Sequence, residues 1–163
     1  RIETPIGTMY AAAVEEGICM LEFTDRKMLE TEFKDLAKSL NATIVQGENP
    51  HFKTLEKELS EYFQGNRKTF TIPLSPVGTA FQKSVWKVLE KIPYGETWTY
   101  RQQSEILGDA KKVRAVANAN GMNKISILIP CHRVIGSNGT LTGYGGGIWR
   151  KQKLLALEKA ILF

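Results

Sequence analysis

Short apolar runs and helically spaced apolar positions alternate through the first half of the chain, and helical spacing dominates the second. Residues 8–14 and 18–23 flank Glu15-Glu16-Gly17, which is the pattern of a β-hairpin. Over 26–40, Met28, Leu29, Phe33, Leu36 and Leu40 fall close to helical spacing and predict a helix. A short strand is predicted at 42–45. Asn49 as a cap and Pro50 at the first helical position then open a second helix, with Leu55, Leu59 and Phe63 on one face. Residues 69–74 predict one more strand.

Ser75-Pro76-Val77-Gly78 reads as a linker, which predicts units over 1–76 and 77–163. Beyond it, Thr79 and Gln82 form a capping-box pair ahead of an apolar stripe, Phe81, Val85, Trp86 and Leu89. Pro93-Tyr94-Gly95 closes that helix with a turn. Thr99 and Gln102 repeat the capping box and open a helix that reaches Leu107. Gly108-Asp109 breaks it, and 110–120 predicts the next helix. Two short helices joined by a tight glycine-containing turn have the shape of a helix-turn-helix. A final helix is expected over 148–160.

Composition narrows the class without deciding it. The chain has 163 residues, enough for one substantial core or two smaller units, and 42% of them are hydrophobic, ordinary for a globular protein. No apolar stretch approaches the ~20 residues of a membrane-spanning helix, and no signal-peptide pattern opens the sequence. The first residue is Arg1, as trimming or excision from a longer chain would leave it. The formal net charge of +5 favours an anionic partner such as nucleic acid. Cys19 and Cys131 are the only cysteines, and their different contexts fit free thiols in a reducing cytoplasm. His51 has no accompanying ligand cluster, so no metal is expected.

One run carries candidate chemistry. Ile129-Pro130-Cys131-His132-Arg133 follows the apolar stretch 125–128, which reads as a buried strand delivering Cys131 at its end. A thiolate is a soft nucleophile, and a neighbouring His or cation makes one available near neutral pH. Consecutive residues of a regular strand face opposite ways, so proton transfer from Cys131 to His132 needs a bend at Pro130 or a bridging water. Cys19, among Ile18, Met20 and Leu21, reads as structural.

Upstream, Lys111, Arg114 and Asn118 share the outward side of the predicted second helix of the pair, while Val113, Val116 and Ala117 face inward. Ala115 and Ala119 would keep that helix thin enough for close approach to a nucleic-acid groove. The alternative is a plain solvated face. Downstream, Ser137-Asn138-Gly139 is a turn, and Tyr144-Gly145-Gly146-Gly147 lacks the flanking residues of a nucleotide-binding loop and better suits a pocket wall. Glu158, where a helix dipole disfavours an acid, is either a surface residue or an acid that orients an imidazole.

Together these residues resemble the O6-alkylguanine-DNA alkyltransferase family. The likeness runs over about the last half of the chain, from Gly78 to Glu158. It rests on Gly78-Thr79-Ala80-Phe81-Gln82, Val85-Trp86, Ile92-Pro93-Tyr94-Gly95, Tyr100, Arg114-Ala115-Val116, Asn123, Ile129-Pro130-Cys131-His132-Arg133-Val134, Gly143-Tyr144-Gly145-Gly146 and Lys153-Leu154-Leu155 with Glu158. It departs from the family's usual pattern at Ser126 and Gly145, both bordering the pocket.

The resemblance implies an α/β architecture, a small ribonuclease-H-like unit followed by a mainly helical, winged-helix-like DNA-binding unit with its helix-turn-helix in the minor groove. It implies that Arg114 fills the stack behind a flipped nucleotide, that Tyr100 presses on the adjacent phosphate, and that Ser137, Lys111 and Asn118 meet DNA. Asn123, Val134, Tyr144, Gly145 and Gly146 would form the base pocket. Cys131 would take a methyl or larger alkyl group from O6-alkylguanine, and from O4-alkylthymine, once per molecule. His132 and Glu158 would assist and Tyr100 would protonate the leaving base. The implied protein is a cytoplasmic, nucleoid-associated monomer acting on double-stranded DNA without cofactor or membrane. Two other classes compete: a non-enzymatic helix-turn-helix lesion sensor, and a papain-like cysteine hydrolase, whose Cys and His are normally far apart in sequence.

Overall fold

A computed structural model describes residues 1–160 and divides the chain into two units, Arg1–Gly78 and Thr79–Phe163. In the first, β1 (Ile2–Thr4), β2 (Gly7–Val14) and β3 (Gly17–Phe23) form an antiparallel sheet in the order β1-β2-β3. The predicted hairpin is β2–β3, with Ala11 opposite Leu21 and a register shift at Ala12/Ala13. Every residue of β3 is buried. Helix α1 (Leu29–Leu40) starts three residues later than its apolar spacing predicts. It covers Cys19 and Met20 with Leu36, Phe33 and Leu40. Helix α2 (Pro50–Phe63) opens as expected, the Asn49 side chain accepting from the His51 N–H.

Two predicted strands of this unit are absent. After Asn41 ends α1 in the left-handed conformation, residues 42–49 run without regular structure, and Ile44 and Val45 are exposed. Branched apolar residues favour a strand only where a sheet edge receives them, and none does here. Residues 69–74 make a single bridge, Leu74 parallel to Ile18. The donors that a strand would spend on a ladder go elsewhere. The buried Glu58 carboxylate accepts from the backbone N–H groups of Thr71 at 2.9 Å and Ile72 at 3.1 Å, from the Thr71 hydroxyl at 2.7 Å, and faces Arg67 at 3.2 Å. Pro73 has no N–H to offer, and its carbonyl takes the Ile18 N–H at 3.0 Å. A Cβ on Gly17 would sit 2.4 Å from that carbonyl, so the close approach requires glycine.

The second unit begins with the capping box at Thr79 and Gln82 on α3 (Ala80–Leu89). A second box, at Thr99 and Gln102, opens α4 (Tyr100–Leu107), which ends at Gly108 with φ +117°. A 3₁₀ turn, Ala110–Lys112, leads into α5 (Val113–Gly121), so the predicted continuous helix is split at its start. The helix pair is locked by buried amides: Gln103 and Asn120 exchange two hydrogen bonds of 2.7 Å. The Trp86 indole donates to the Ala119 carbonyl at 2.8 Å and ties α3 to α5. Ala119 is therefore core, not part of a thin outer surface. Two-residue strands β4 (Trp98–Thr99) and β5 (Val134–Ile135) pair in parallel, and α6 (Ile148–Leu157) follows. No helix among the described residues is long and apolar enough to cross a membrane.

Burial alone would push the Glu58 carboxyl up, but its four donors reverse this and hold it below its ordinary value. A depressed carboxyl adds stability above the unfolded pKa and loses it as pH falls through the folded one. Glu58→Gln is therefore expected to cost about 1–3 kcal/mol in urea unfolding at pH 7. The gap from wild type should close as the medium is acidified below about pH 4.3. An unchanged midpoint would show that Glu58 does not hold the 66–74 segment.

Candidate active site

The residues before the cysteine are not a strand. Residues 125–129 make a compact buried turn in which the Leu128 N–H reaches the Ser126 carbonyl at 2.8 Å and the Ile129 N–H reaches the Ile125 carbonyl at 3.1 Å. Ile127, at the centre of the tighter ring, has φ +72°. That is the rare, strained form of the γ-turn, and a β-branched residue adopts it only where its surroundings over-determine it. A second three-residue ring follows: the Cys131 N–H donates to the Ile129 carbonyl at 2.8 Å around Pro130, whose φ −83° and ψ 63° suit the relaxed γ-turn. Cys131 then heads a 3₁₀ turn, Cys131–Arg133, with β5 after it. The bend at Pro130 is real, and the strand end is replaced by two consecutive tight turns.

Asn123 clamps this loop from inside. Its side chain accepts from the Ile125 N–H at 2.9 Å and donates to the Ile129 carbonyl at 2.9 Å and to Cys131 Sγ at 3.4 Å. Sitting just beyond α5, it joins the end of the helix-turn-helix to the sulfur. Cys131 is half-buried, whereas Cys19 is sealed in the core of the first unit.

Behind the sulfur lies an ionic cluster with no exposure to speak of. His132 Nε2 is 2.8 Å from Glu158 Oε2, and both side chains are inaccessible. Arg133 donates from Nε to Glu158 Oε1 at 2.8 Å, from one terminal nitrogen to Oε2 at 3.0 Å, and from the other to the Ile92 carbonyl at 2.8 Å. Glu158 is the C-terminal cap of α6, the end where the dipole repels an anion. The Arg133 guanidinium and the His132 N–H outweigh that penalty, and the surface alternative for this acid is excluded by its burial.

Charge follows from the packing. Burial alone would raise the Glu158 carboxyl, but His132 and Arg133 hold it far below the usual carboxylate range. Burial lowers His132 from its ordinary value against the upward pull of Glu158, so the imidazole rests neutral. With Nε2 carrying its hydrogen toward Glu158, the lone pair lies on Nδ1, which has no partner among the described residues.

The other predicted residues occupy two places. Tyr100 begins α4, and its hydroxyl donates to the Thr142 carbonyl at 3.2 Å, beside Gly143 and Tyr144. Gly146 is buried and its carbonyl accepts from Arg150 at 3.1 Å; Tyr144 and Gly145 flank it in the turn closed by the Gly147 N–H on the Tyr144 carbonyl. Val134 is buried in β5. Lys111, Arg114 and Asn118 are exposed on the 3₁₀ turn and α5, and Ser137 is exposed in its turn. His51 Nε2 lies 2.9 Å from the Glu15 carbonyl, in the first unit.

Two contributors escaped the sequence reading. Arg133 stands inside the singled-out run, but its grip on Glu158 could not be seen without the fold. Lys151 is fully buried in α6, and its Nζ donates to the Thr142 carbonyl at 2.8 Å. Burial lowers it to about 8, opposed by negative charge on Cys131. Its signal was available: Lys151, Leu154, Leu155 and Glu158 follow i, i+3, i+4, i+7, which puts the lysine on the inward stripe.

A helix-turn-helix unit presents a half-exposed cysteine against a buried His–Glu–Arg cluster, which makes that sulfur the candidate nucleophile of this unit. Comparison with known proteins specifies it. The family described as "6-O-methylguanine DNA methyltransferase, DNA binding domain" matches residues 80–160, and its "ribonuclease-like domain" matches 1–76. A methylated-DNA–protein-cysteine methyltransferase of Methanosarcina acetivorans is 44% identical over 96% of this chain and 94% of its own length. The constitutive enzyme of that name from Bacillus subtilis is 42% identical over 88% and 84%. The crystal structure of Mycobacterium tuberculosis OGT in complex with DNA superposes with a TM-score of 0.83 at 39% identity, covering 98% of this chain and 91% of that one. The chain belongs to the 6-O-methylguanine DNA methyltransferase family.

Removing the central carboxylate should strand two buried groups. Glu158→Gln is expected to cost about 3 kcal/mol of stability at pH 7 because Arg133 loses its counter-charge. The Glu158 contribution is present above the ordinary carboxylate pKa and is lost only as pH falls through the lower folded value, so the variant should also show a flatter acid limb in thermal unfolding. Equal melting of variant and wild type would contradict the network.

Proposed function

We propose that this protein repairs alkylated double-stranded DNA by direct reversal, transferring a methyl or other alkyl group from O6 of guanine to Cys131, once per molecule. The observation that carries this reading is the half-buried Cys131 sulfur at the head of a sharp turn, joined through Asn123 to a helix-turn-helix and backed by His132 on a buried carboxylate. A cysteine hydrolase passes through a thioester whose carbonyl water can attack, whereas an S-alkyl thioether offers water no such carbonyl and stays on the sulfur.

In the proposed sequence of events, Arg114, exposed on α5, enters the base stack from the minor groove while Lys111, Asn118 and Ser137 hold the backbone. The displaced nucleotide turns outward past Tyr100 into a pocket walled by Tyr144, Gly145, Gly146, Val134 and Asn123. Extrusion is needed because the reacting atom is inaccessible within the duplex. The Cys131 proton passes through a water to Nδ1 of His132, and Glu158 stabilises the resulting imidazolium. Sulfur then attacks the alkyl carbon: the S–C bond forms, the O6–C bond breaks, and its electron pair stays on the purine. Tyr100 protonates the departing base and recovers its proton from solvent, as His132 releases the one it took. Such a protein works alone on DNA as a monomer, in the cytoplasm at the nucleoid.

Incubation with a duplex containing O6-methylguanine should add one methyl group to the peptide carrying Cys131, with no second turnover. Cys131→Ser should show no transfer while still binding DNA; binding without any mass change in the wild type would instead identify a lesion sensor. Arg114→Ala should lose at least about tenfold in rate on duplex substrate and keep its rate with free O6-benzylguanine. Equal losses on both would remove Arg114 from the flipping step.

A further inference from the structure

The segment read as the wall of the base pocket has little of its own to hold it. Residues 142–147 run Thr142-Gly143-Tyr144-Gly145-Gly146-Gly147, so Thr142 and Tyr144 carry its only side chains. Glycine loses more backbone freedom on ordering than any other residue, and such a stretch keeps one shape only where its backbone groups are bound. One ring closes within it, the Gly147 N–H on the Tyr144 carbonyl at 2.9 Å. The other holds come from the first turn of α6, where Arg150 and Lys151 are consecutive and both buried. Arg150 donates to the Gly146 carbonyl at 3.1 Å and Lys151 Nζ to the Thr142 carbonyl at 2.8 Å. Two enclosed cations therefore grip the glycine segment near its two ends.

Trp149, the residue before them, covers this arrangement from outside. A Cβ on Gly147 would lie 3.2 Å from its Cδ1 and 3.3 Å from its Nε1, so the indole rests on that glycine. The guanidinium carbon of Arg150 is 4.6 Å from the ring centroid, within the range of a cation–π contact. The indole itself is exposed. An aromatic ring left in water on one side and fixed on a buried guanidinium on the other shields that cation and limits where it can point.

We propose that Arg150, capped by Trp149, is a positioning residue for base binding: its grip on the Gly146 carbonyl locks the glycine wall in the shape that receives the extruded guanine. The inference rests on the reading of Tyr144, Gly145 and Gly146 as that wall. Arg150 acts through backbone, whereas His132 and Glu158 act on the proton of the sulfur. A wall that samples other shapes is competent for only a fraction of the time, and apparent affinity for the base falls by that fraction. The intrinsic reactivity of Cys131 does not depend on the wall.

Transfer from free O6-benzylguanine to Cys131, followed by peptide mass over a range of base concentrations, separates binding from chemistry. Arg150→Met should raise the half-saturating concentration about tenfold and leave the limiting rate within about twofold. Iodoacetamide, which needs no base pocket, should alkylate Cys131 of this variant at the wild-type rate. Arg150→Lys, which keeps a donor for the Gly146 carbonyl, should recover most of the lost affinity. A folded Arg150→Met with wild-type half-saturation overturns the proposal. So does one whose iodoacetamide rate falls as far as its base affinity, since that marks general damage. Should Arg150→Met fail to fold, Trp149→Ala decides: without the indole the Gly147 amide should exchange its hydrogen about tenfold faster, and unchanged exchange overturns the proposal. A wild type that takes no alkyl group from the free base or from methylated duplex refutes the proposed function, and the inference with it. Transfer with an unmoved half-saturation refutes the role of Arg150 alone.

Discussion

A single buried carboxylate holds the reactive end of this protein together. Glu158 sits where α6 ends, at the negative pole of the helix, and is kept ionised there by His132 and Arg133 on the cysteine turn. The bonds run across 25 and 26 residues of chain, so they fasten the loop of the second unit to its last helix. Because the two partners are consecutive and lie in one 3₁₀ turn, their grip fixes the orientation of that turn and hence of Cys131, its first residue. The same bonds choose the tautomer of His132. Stability and chemistry therefore depend on one ion.

The loop reaches that position through local backbone economy. Buried N–H and C=O groups between α5 and the cysteine cannot join a sheet, so they close on one another in tight rings or on the Asn123 side chain. Ile127 accepts a left-handed conformation as the cost, and its side chain stays in the core. A regular strand would have sent Cys131 and His132 to opposite faces. The turn instead leaves sulfur half-exposed and drives the imidazole inward to its carboxylate.

Features governed by neighbouring residues were legible in the sequence. Both capping boxes, the Asn49-Pro50 helix start, the β2–β3 hairpin and the glycine break at Gly108 are local, and each lies where its residues place it. The short apolar runs 42–45, 69–74 and 125–128 were not, because an apolar run of four to six residues fits a strand, a strap or a buried turn equally well until its hydrogen-bond partners are known. Glu58, thirteen residues away from Thr71, and Asn123, two residues before Ile125, took the backbone donors of the last two runs. At the site, Cys131, His132 and Glu158 were legible through their family pattern and come together as implied. Arg133 was not: long basic side chains ordinarily face water, and only the fold shows it enclosed against Glu158; Lys151 was signalled only by its place on the inward stripe of α6.

The ionisation of Glu158 is the central claim and can be observed directly. In protein carrying carbon-13-labelled glutamate, the Glu158 carboxyl resonance, identified by its loss in Glu158→Gln, should remain at the carboxylate position down to about pH 4 while the fold persists. A resonance that moves to the protonated position between about pH 5 and 7 would show that burial wins over His132 and Arg133, and the ion on which this site is built would not exist.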